Sequence, residues 1–195
     1  LEGKAGAGFS GGGFTANLDA APQLSGFTTA LSDGGFTALT FDVATGSVTV
    51  DGAIGGPLGG AGLTSFSLTT EQGAITVDNT INASGLTGGT IDLYAEQGVT
   101  LTGNADLSVA GQQLNSASEG GLIDIETRGA GGGAIDIATG AKLDLSVAGG
   151  GGGVLHLRAP TTNGNTSLAI DAIGGLISGA ASVIVEGYNV YNTAT

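Results

Sequence analysis

The chain has 195 residues, 40 of them glycine, a formal net charge of −13 and no cysteine, methionine or tryptophan. Disulfides and thiolate metal sites are therefore excluded, and stability has to come from backbone ladders and an aliphatic core. With Lys4, Arg128, Lys142 and Arg158 as the only basic residues against 17 acids, phosphate backbones and anionic membranes are poor partners, so neither nucleic acid nor membrane insertion is expected. No run of 18 apolar residues offers a membrane-spanning helix. The glycines lack the every-third spacing of collagen. The chain opens on Leu1-Glu2-Gly3 rather than Met, which reads as a piece of a longer protein.

Residues 1–36 are rich in Gly, Ala, Ser and Thr and read as an irregular lead-in or capping segment. They hold two similar fragments, Gly13-Phe14-Thr15-Ala16 and, running on to Ala38, Gly35-Phe36-Thr37-Ala38. The residues leave open whether the first fragment begins a coil or covers the end of the repeats.

From residue 37 to 195 the pattern is periodic. The apolar pair Leu39/Phe41 returns as Phe66/Leu68, Ile91/Leu93, Ile123/Ile125 and Leu155/Leu157, and finally as Val183 with Val185 or Ile184. A glycine pair precedes three of these at a constant interval of 32 residues: Gly88-Gly89, Gly120-Gly121 and Gly152-Gly153. Apolar, polar, apolar alternation after a glycine turn marks a short half-buried strand, and a repeat of this length marks stacked coils. Each interval holds further strands. Gly46 to Ile54 is echoed by Gly73 to Ile81 at an offset of 27, and Asp106-Leu107-Ser108-Val109 is echoed by Asp144-Leu145-Ser146-Val147 at an offset of 38.

Connections this short hold no crossover helix, and no stretch shows a convincing helical apolar stripe. The expected fold is all-β: a parallel β-helix of about six coils with three short strands each. An antiparallel sandwich is the competing fold. The widest corner is expected between the third strand of one coil and the first of the next. Within it, Gln112, Gln113, Asn115, Ser116 and Ser118 form the least glycine-rich stretch and the candidate recognition loop.

Alternation also places Asp92, Asp124 and His156 in one outward column and Tyr94, Glu126 and Arg158 in the next. Asp124 beside His156 and Glu126 beside Arg158 are then exposed pairs worth under ~1 kcal/mol. Asp92 and Asp124 also resemble the carboxylate pair of a glycosidase, but coil stacking by itself accounts for the spacing. Two stacked aspartates fall short of the about 6 to 8 oxygens that calcium takes. A single His without Cys makes no structural zinc site. No cofactor, metal or catalytic residue is expected, and no aromatic platform is evident beside the basic residues.

The strings GGTIDLYAEQGVTLTGNADLSVAG, GGAIDIATGAKLDLSVAGGGGGVLHLRAP and ASVIVEGYNVY resemble the repeat region of filamentous haemagglutinin-type large exoproteins. The likeness runs over about residues 37–191. It implies a right-handed parallel β-helix, secretion to the surface of a Gram-negative bacterium through an outer-membrane transporter partner, and a parent protein engaged in adhesion, biofilm formation or contact-dependent delivery. The secretion domain of that family, with its Asn-Pro motifs, is not matched here. The implied role is a non-catalytic shaft segment facing a host-cell or bacterial receptor or a glycan. A self-assembling filament subunit joined head to tail is one alternative, and a β-helical polysaccharide-active enzyme is another.

Overall fold

Short strands with brief turns leave each strand one available partner, its counterpart in the neighbouring coil. The computed structural model, which describes residues 2–6, 11–56, 62–117 and 119–191, is built in this way apart from one antiparallel hairpin. A first sheet stacks β1 (Gly13–Leu18), β2 (Ala38–Val43), β5 (Ser65–Thr70), β8 (Thr90–Ala95), β11 (Leu122–Thr127), β14 (Gly153–Thr162) and β17 (Ala180–Tyr188), every neighbour parallel. A second stacks β3 (Val48–Val50), β6 (Ile75–Val77), β9 (Val99–Leu101) and β12 (Ile135–Ile137). A third stacks β4 (Ile54–Gly55), β7 (Thr80–Asn82), β10 (Asp106–Ser108), β13 (Lys142–Asp144) and β16 (Leu176–Ser178). The fold is a parallel β-helix.

The core is a set of aliphatic files. Leu39, Phe66, Ile91, Ile123, Leu155 and Val183 are paired in register, one per coil, and the first five are buried. Each such burial is worth roughly 1.5–3 kcal/mol. Where a polar residue enters a file, it is satisfied locally: the buried Thr70 hydroxyl donates to the Gly73 carbonyl at 3.0 Å, and Thr127 Oγ1 accepts the Gly129 N–H at 3.0 Å. In the second sheet Val48, Ile75, Val99 and Ile135 form a like file, at the offset of 27 for the first pair.

Three details depart from the sequence reading. The third-sheet register pairs Leu107 with Leu143, an offset of 36 where the Asp-Leu-Ser-Val echo has 38. Because side chains alternate with period two, a slip of two residues keeps the same residues inward. Matching turns decide between the registers: the Ala105 N–H donates to the Thr102 carbonyl and the Ala141 N–H to the Ala138 carbonyl, which sets buried Ala105 and Ala141 in equivalent places. The Gly-Phe-Thr-Ala echo is likewise not a register, since Gly13 lies against Ala38 rather than Gly35.

The third departure is a helix, α1 (Ser25–Asp33). Leu24, Phe27, Thr28 and Leu31 do follow helical spacing, but the stripe is short and broken by a threonine. Leu24, Thr28 and Leu31 are buried, and the Phe27 ring meets Phe41 edge-on at 6.2 Å. Asp51, from the coil above, accepts from the Ser25 N–H at 3.1 Å and the Ser25 hydroxyl at 3.0 Å, a carboxylate set at a helix N-terminus where the exposed N–H groups favour it. The core is thereby covered at one end, while β1 has no strand beyond it among the described residues. At the other, Val183, Val185 and Leu176 are 48%, 49% and 63% exposed, and β17 has no strand beyond it among the described residues.

The repeated glycine pair has a steric origin. A Cβ on Gly121 would lie 2.3 Å from the Val109 carbonyl oxygen, and one on Gly153 the same distance from the Gly121 oxygen, because the corner brings backbones of adjacent coils together. Gly121→Ala is expected to destabilise the fold by about 1–3 kcal/mol through overpacking. Gly85→Ala, where no atom lies within 4 Å of the added methyl, stays within about 0.5 kcal/mol of the parent. Urea unfolding of the two variants makes the comparison, and equal stability losses would contradict the steric origin.

Candidate functional site

The first sheet's outer surface gathers Asp92, Tyr94, Asp124, Glu126, His156, Arg158 and Glu186 on neighbouring strands. Its ladder sets Asp92 opposite Asp124, Asp124 opposite His156, Tyr94 opposite Glu126 and Glu126 opposite Arg158. β17 adds Ile184 opposite His156 and Glu186 opposite Arg158. His156 is thus held between carboxylates, Nδ1 at 3.0 Å from Asp124 Oδ1 and Nε2 at 3.3 Å from Glu186 Oε2. These are ion-pair distances, yet the atoms are off the line that a hydrogen bond requires, and Asp124 Oδ1 and His156 Nε2 have no hydrogen-bond partner. Arg158 donates to Glu126 at 2.8 Å and lies 3.5 Å from Glu186.

The two aspartates are not equivalent. Burial raises the Asp92 carboxyl above its usual pKa, and the Asp124 charge beside it adds to the shift. Burial also raises Asp124, but His156 next to it pulls the other way. The ladder accounts for this pair of acids as stacked neighbours, and its chemistry is that of a charged, partly shielded stripe.

The candidate recognition loop is organised by Asn115. Its Oδ1 accepts from the Ala117 and Glu119 N–H groups, both at 2.9 Å, and its Nδ2 donates to Glu119 at 3.3 Å. The Gln112 and Gln113 N–H groups donate to the Leu86 carbonyl, which ties the loop to the coil below. Gln112, Gln113 and Ser116 face solvent. Ser118 lies outside the described residues.

A second widened corner was not anticipated from sequence. Where the first and second strands of earlier coils are joined by three or four residues, β11 and β12 are joined by Arg128 to Ala134, with a 3-10 turn over Ala130–Gly132. One coil on, β14 runs into an antiparallel hairpin with β15 (Ser167–Leu168). Between these and the end of β17 lies an open cleft of about 550 Å³. Its floor is Pro160 and Ala169, both buried. Arg128 and Glu96 stand at one side, 3.5 Å apart, and Thr161 and Asn189 at the other, joined by a hydrogen bond.

Tyr188 also lines this cleft. Its hydroxyl donates to the Thr127 carbonyl at 2.7 Å, and the Arg158 guanidinium lies 4.7 Å from its ring centroid. Arg128 stands in turn 5.9 Å from the centre of the Tyr94 ring. Such contacts are worth about 0.5–1 kcal/mol at exposed sites. Burial raises both phenols above their usual pKa. Two tyrosines and two arginines therefore meet where the sequence reading saw no aromatic platform. The signal was there in Tyr188, but 61 residues separate it from the carbonyl it binds.

None of the protein-family models, curated proteins or solved structures compared with the chain matches it.

A charge removed at constant shape tests the electrostatics of the stripe. An acid with a raised folded pKa favours the folded state below the unfolded value, and that advantage is lost as pH rises through the folded pKa. Asp92→Asn is accordingly expected to raise the melting temperature at pH 7 by up to about 3 °C and to add nothing at pH 3. Calorimetry at the two pH values reads this, and a gain of the same size at both would refute it.

Proposed function

We propose that this chain is a non-catalytic structural segment of a secreted bacterial surface protein of the adhesin type, a stiff rod that sets other parts of its parent away from the cell. The observation that carries this reading is the unbroken parallel ladder of seven strands, from β1 to β17, whose two outermost strands have no strand beyond them among the described residues, with apolar residues exposed on β17. A rod of about six rungs at about 4.8 Å each extends roughly 30 Å, and the open end accepts a further coil or another molecule. The three strings that resemble filamentous haemagglutinin-type exoproteins support the same reading. A Gram-negative surface location, an outer-membrane transporter partner and a receptor or glycan target belong to the proposal through that resemblance.

The filament reading draws on the same open end. Head-to-tail stacking would set the free edge of β17 against the free edge of β1 in the next molecule and continue the parallel ladder.

Sedimentation velocity tests the exposed strand edges. The protein is expected to associate into longer rods as concentration rises, and the double variant Val183→Lys, Val185→Lys to remain monomeric with its fold intact. A monomer at every concentration removes this support. Beads coated with the protein are expected to adhere to bacterial or epithelial cells above the level of albumin-coated beads. Glycan turnover that disappears in Asp124→Asn would replace the structural reading with the enzymatic one.

A further inference from the structure

We propose that the corner cleft framed by Arg128, Glu96, Tyr188 and Asn189 is a binding site for a neutral saccharide. The cleft belongs to the wall of the solenoid, and its chemistry is independent of what the rod as a whole supports.

Shape comes first. At about 550 Å³ the cleft falls within the roughly 300–1,000 Å³ of small-molecule sites. It exists because two coils in succession widen the same corner, and the Gly129 to Gly133 segment keeps that wall nearly free of side chains. Gly133 has no alternative: a Cβ there would lie 1.7 Å from the Gln97 carbonyl oxygen.

Chemistry then selects the ligand. The floor offers apolar carbon from Pro160 and Ala169, and the Tyr188 side chain lines the cleft beside them. Tyr188 is fixed before any ligand arrives, by its hydroxyl on the Thr127 carbonyl and by Arg158 against its ring, so little ordering is needed on binding. The polar groups match hydroxyls rather than ions. Arg128 supplies donors and Glu96 acceptors 3.5 Å away, a spacing that neighbouring sugar hydroxyls, each both donor and acceptor, satisfy together. Thr161 and Asn189 are themselves able to donate and accept.

The charge balance disfavours an anion. Among the described residues Arg128 is the one cation lining the cleft and already has Glu96 beside it, while Glu126 and Glu186 hold Arg158. A chain of net charge −13 adds long-range repulsion. A nucleotide or a uronate is a poorer match than an uncharged sugar ring with an apolar face and an edge of hydroxyls.

The test is a titration of the isotope-labelled full chain, followed by amide chemical shifts, with lactose, maltose, cellobiose and chitobiose, and with digalacturonate as the anionic arm. At least one neutral disaccharide is expected to move amides of residues 128–133, 161–162 and 187–190 and to leave those of β3, β6 and β9 unmoved. Arg128→Ala with Asn189→Ala is expected to weaken that response about tenfold or more. Arg128 is 58% exposed, so its loss should spare the fold, and unchanged amides in β3, β6 and β9 report this directly. Glu96→Gln, which keeps the shape, provides a second reading and is expected to weaken binding as well. No response to any neutral sugar, a response to digalacturonate alone, or neutral-sugar binding untouched by all of these variants overturns the proposal.

Discussion

The strands of the three sheets satisfy their backbone N–H and C=O groups on strands of neighbouring coils, and the close, regular spacing this imposes governs everything else. Residues at equivalent places in successive coils are forced into contact on both sides of the sheet. Inside, the contact is favourable for aliphatic side chains and produces continuous files such as the one from Leu39 to Leu155. At the corners it leaves no room for a Cβ at Gly121 or Gly153. Outside, it sets charges one above another whether or not they attract.

The outer columns show the result. Asp92 against Asp124 is an unfavourable pair imposed by the ladder, and both carboxyls rise in pKa because the surrounding residues shield them from water. From Asp124 onward the column is better matched: His156 sits between Asp124 and Glu186, and Arg158 between Glu126 and Glu186. Opposite charges thus gather in the last coils, where the widened corner and Tyr188 also lie. The first coils are tied instead by aromatic packing, with Phe41 meeting Phe14, Phe27 and Phe66 at 6.1, 6.2 and 6.2 Å.

Much of this was legible in the sequence because the ladder turns position in space into period along the chain. The file from Leu39 to Val183 can be read by counting, and so can the columns that begin at Asp92 and Tyr94. What could not be counted was missed. The helix over Ser25–Asp33 occurs once, so no repeat announces it, and Thr28 interrupts its stripe. The fragment around Phe14 resembles the one around Phe36, yet it pairs three residues further on. The glycines of 129 to 133 read as one more turn, whereas in space they open a wall, and the cleft needs Tyr188 and Thr161 from other coils to complete it.

The third-sheet register has a bearing on how such a chain can change its length. Asp-Leu-Ser-Val recurs at 38 residues while the strands align at 36, and the core does not register the difference because both numbers have the same parity. Within a strand, gain or loss of two residues only moves the pattern along its neighbour, whereas a single residue would turn every inward side chain out to water. Insertions of odd length are confined to the corners. Length variation among coils of this kind is thus quantised along the faces and free at the edges, and new surface features can accumulate at the corners without touching what holds the coils together.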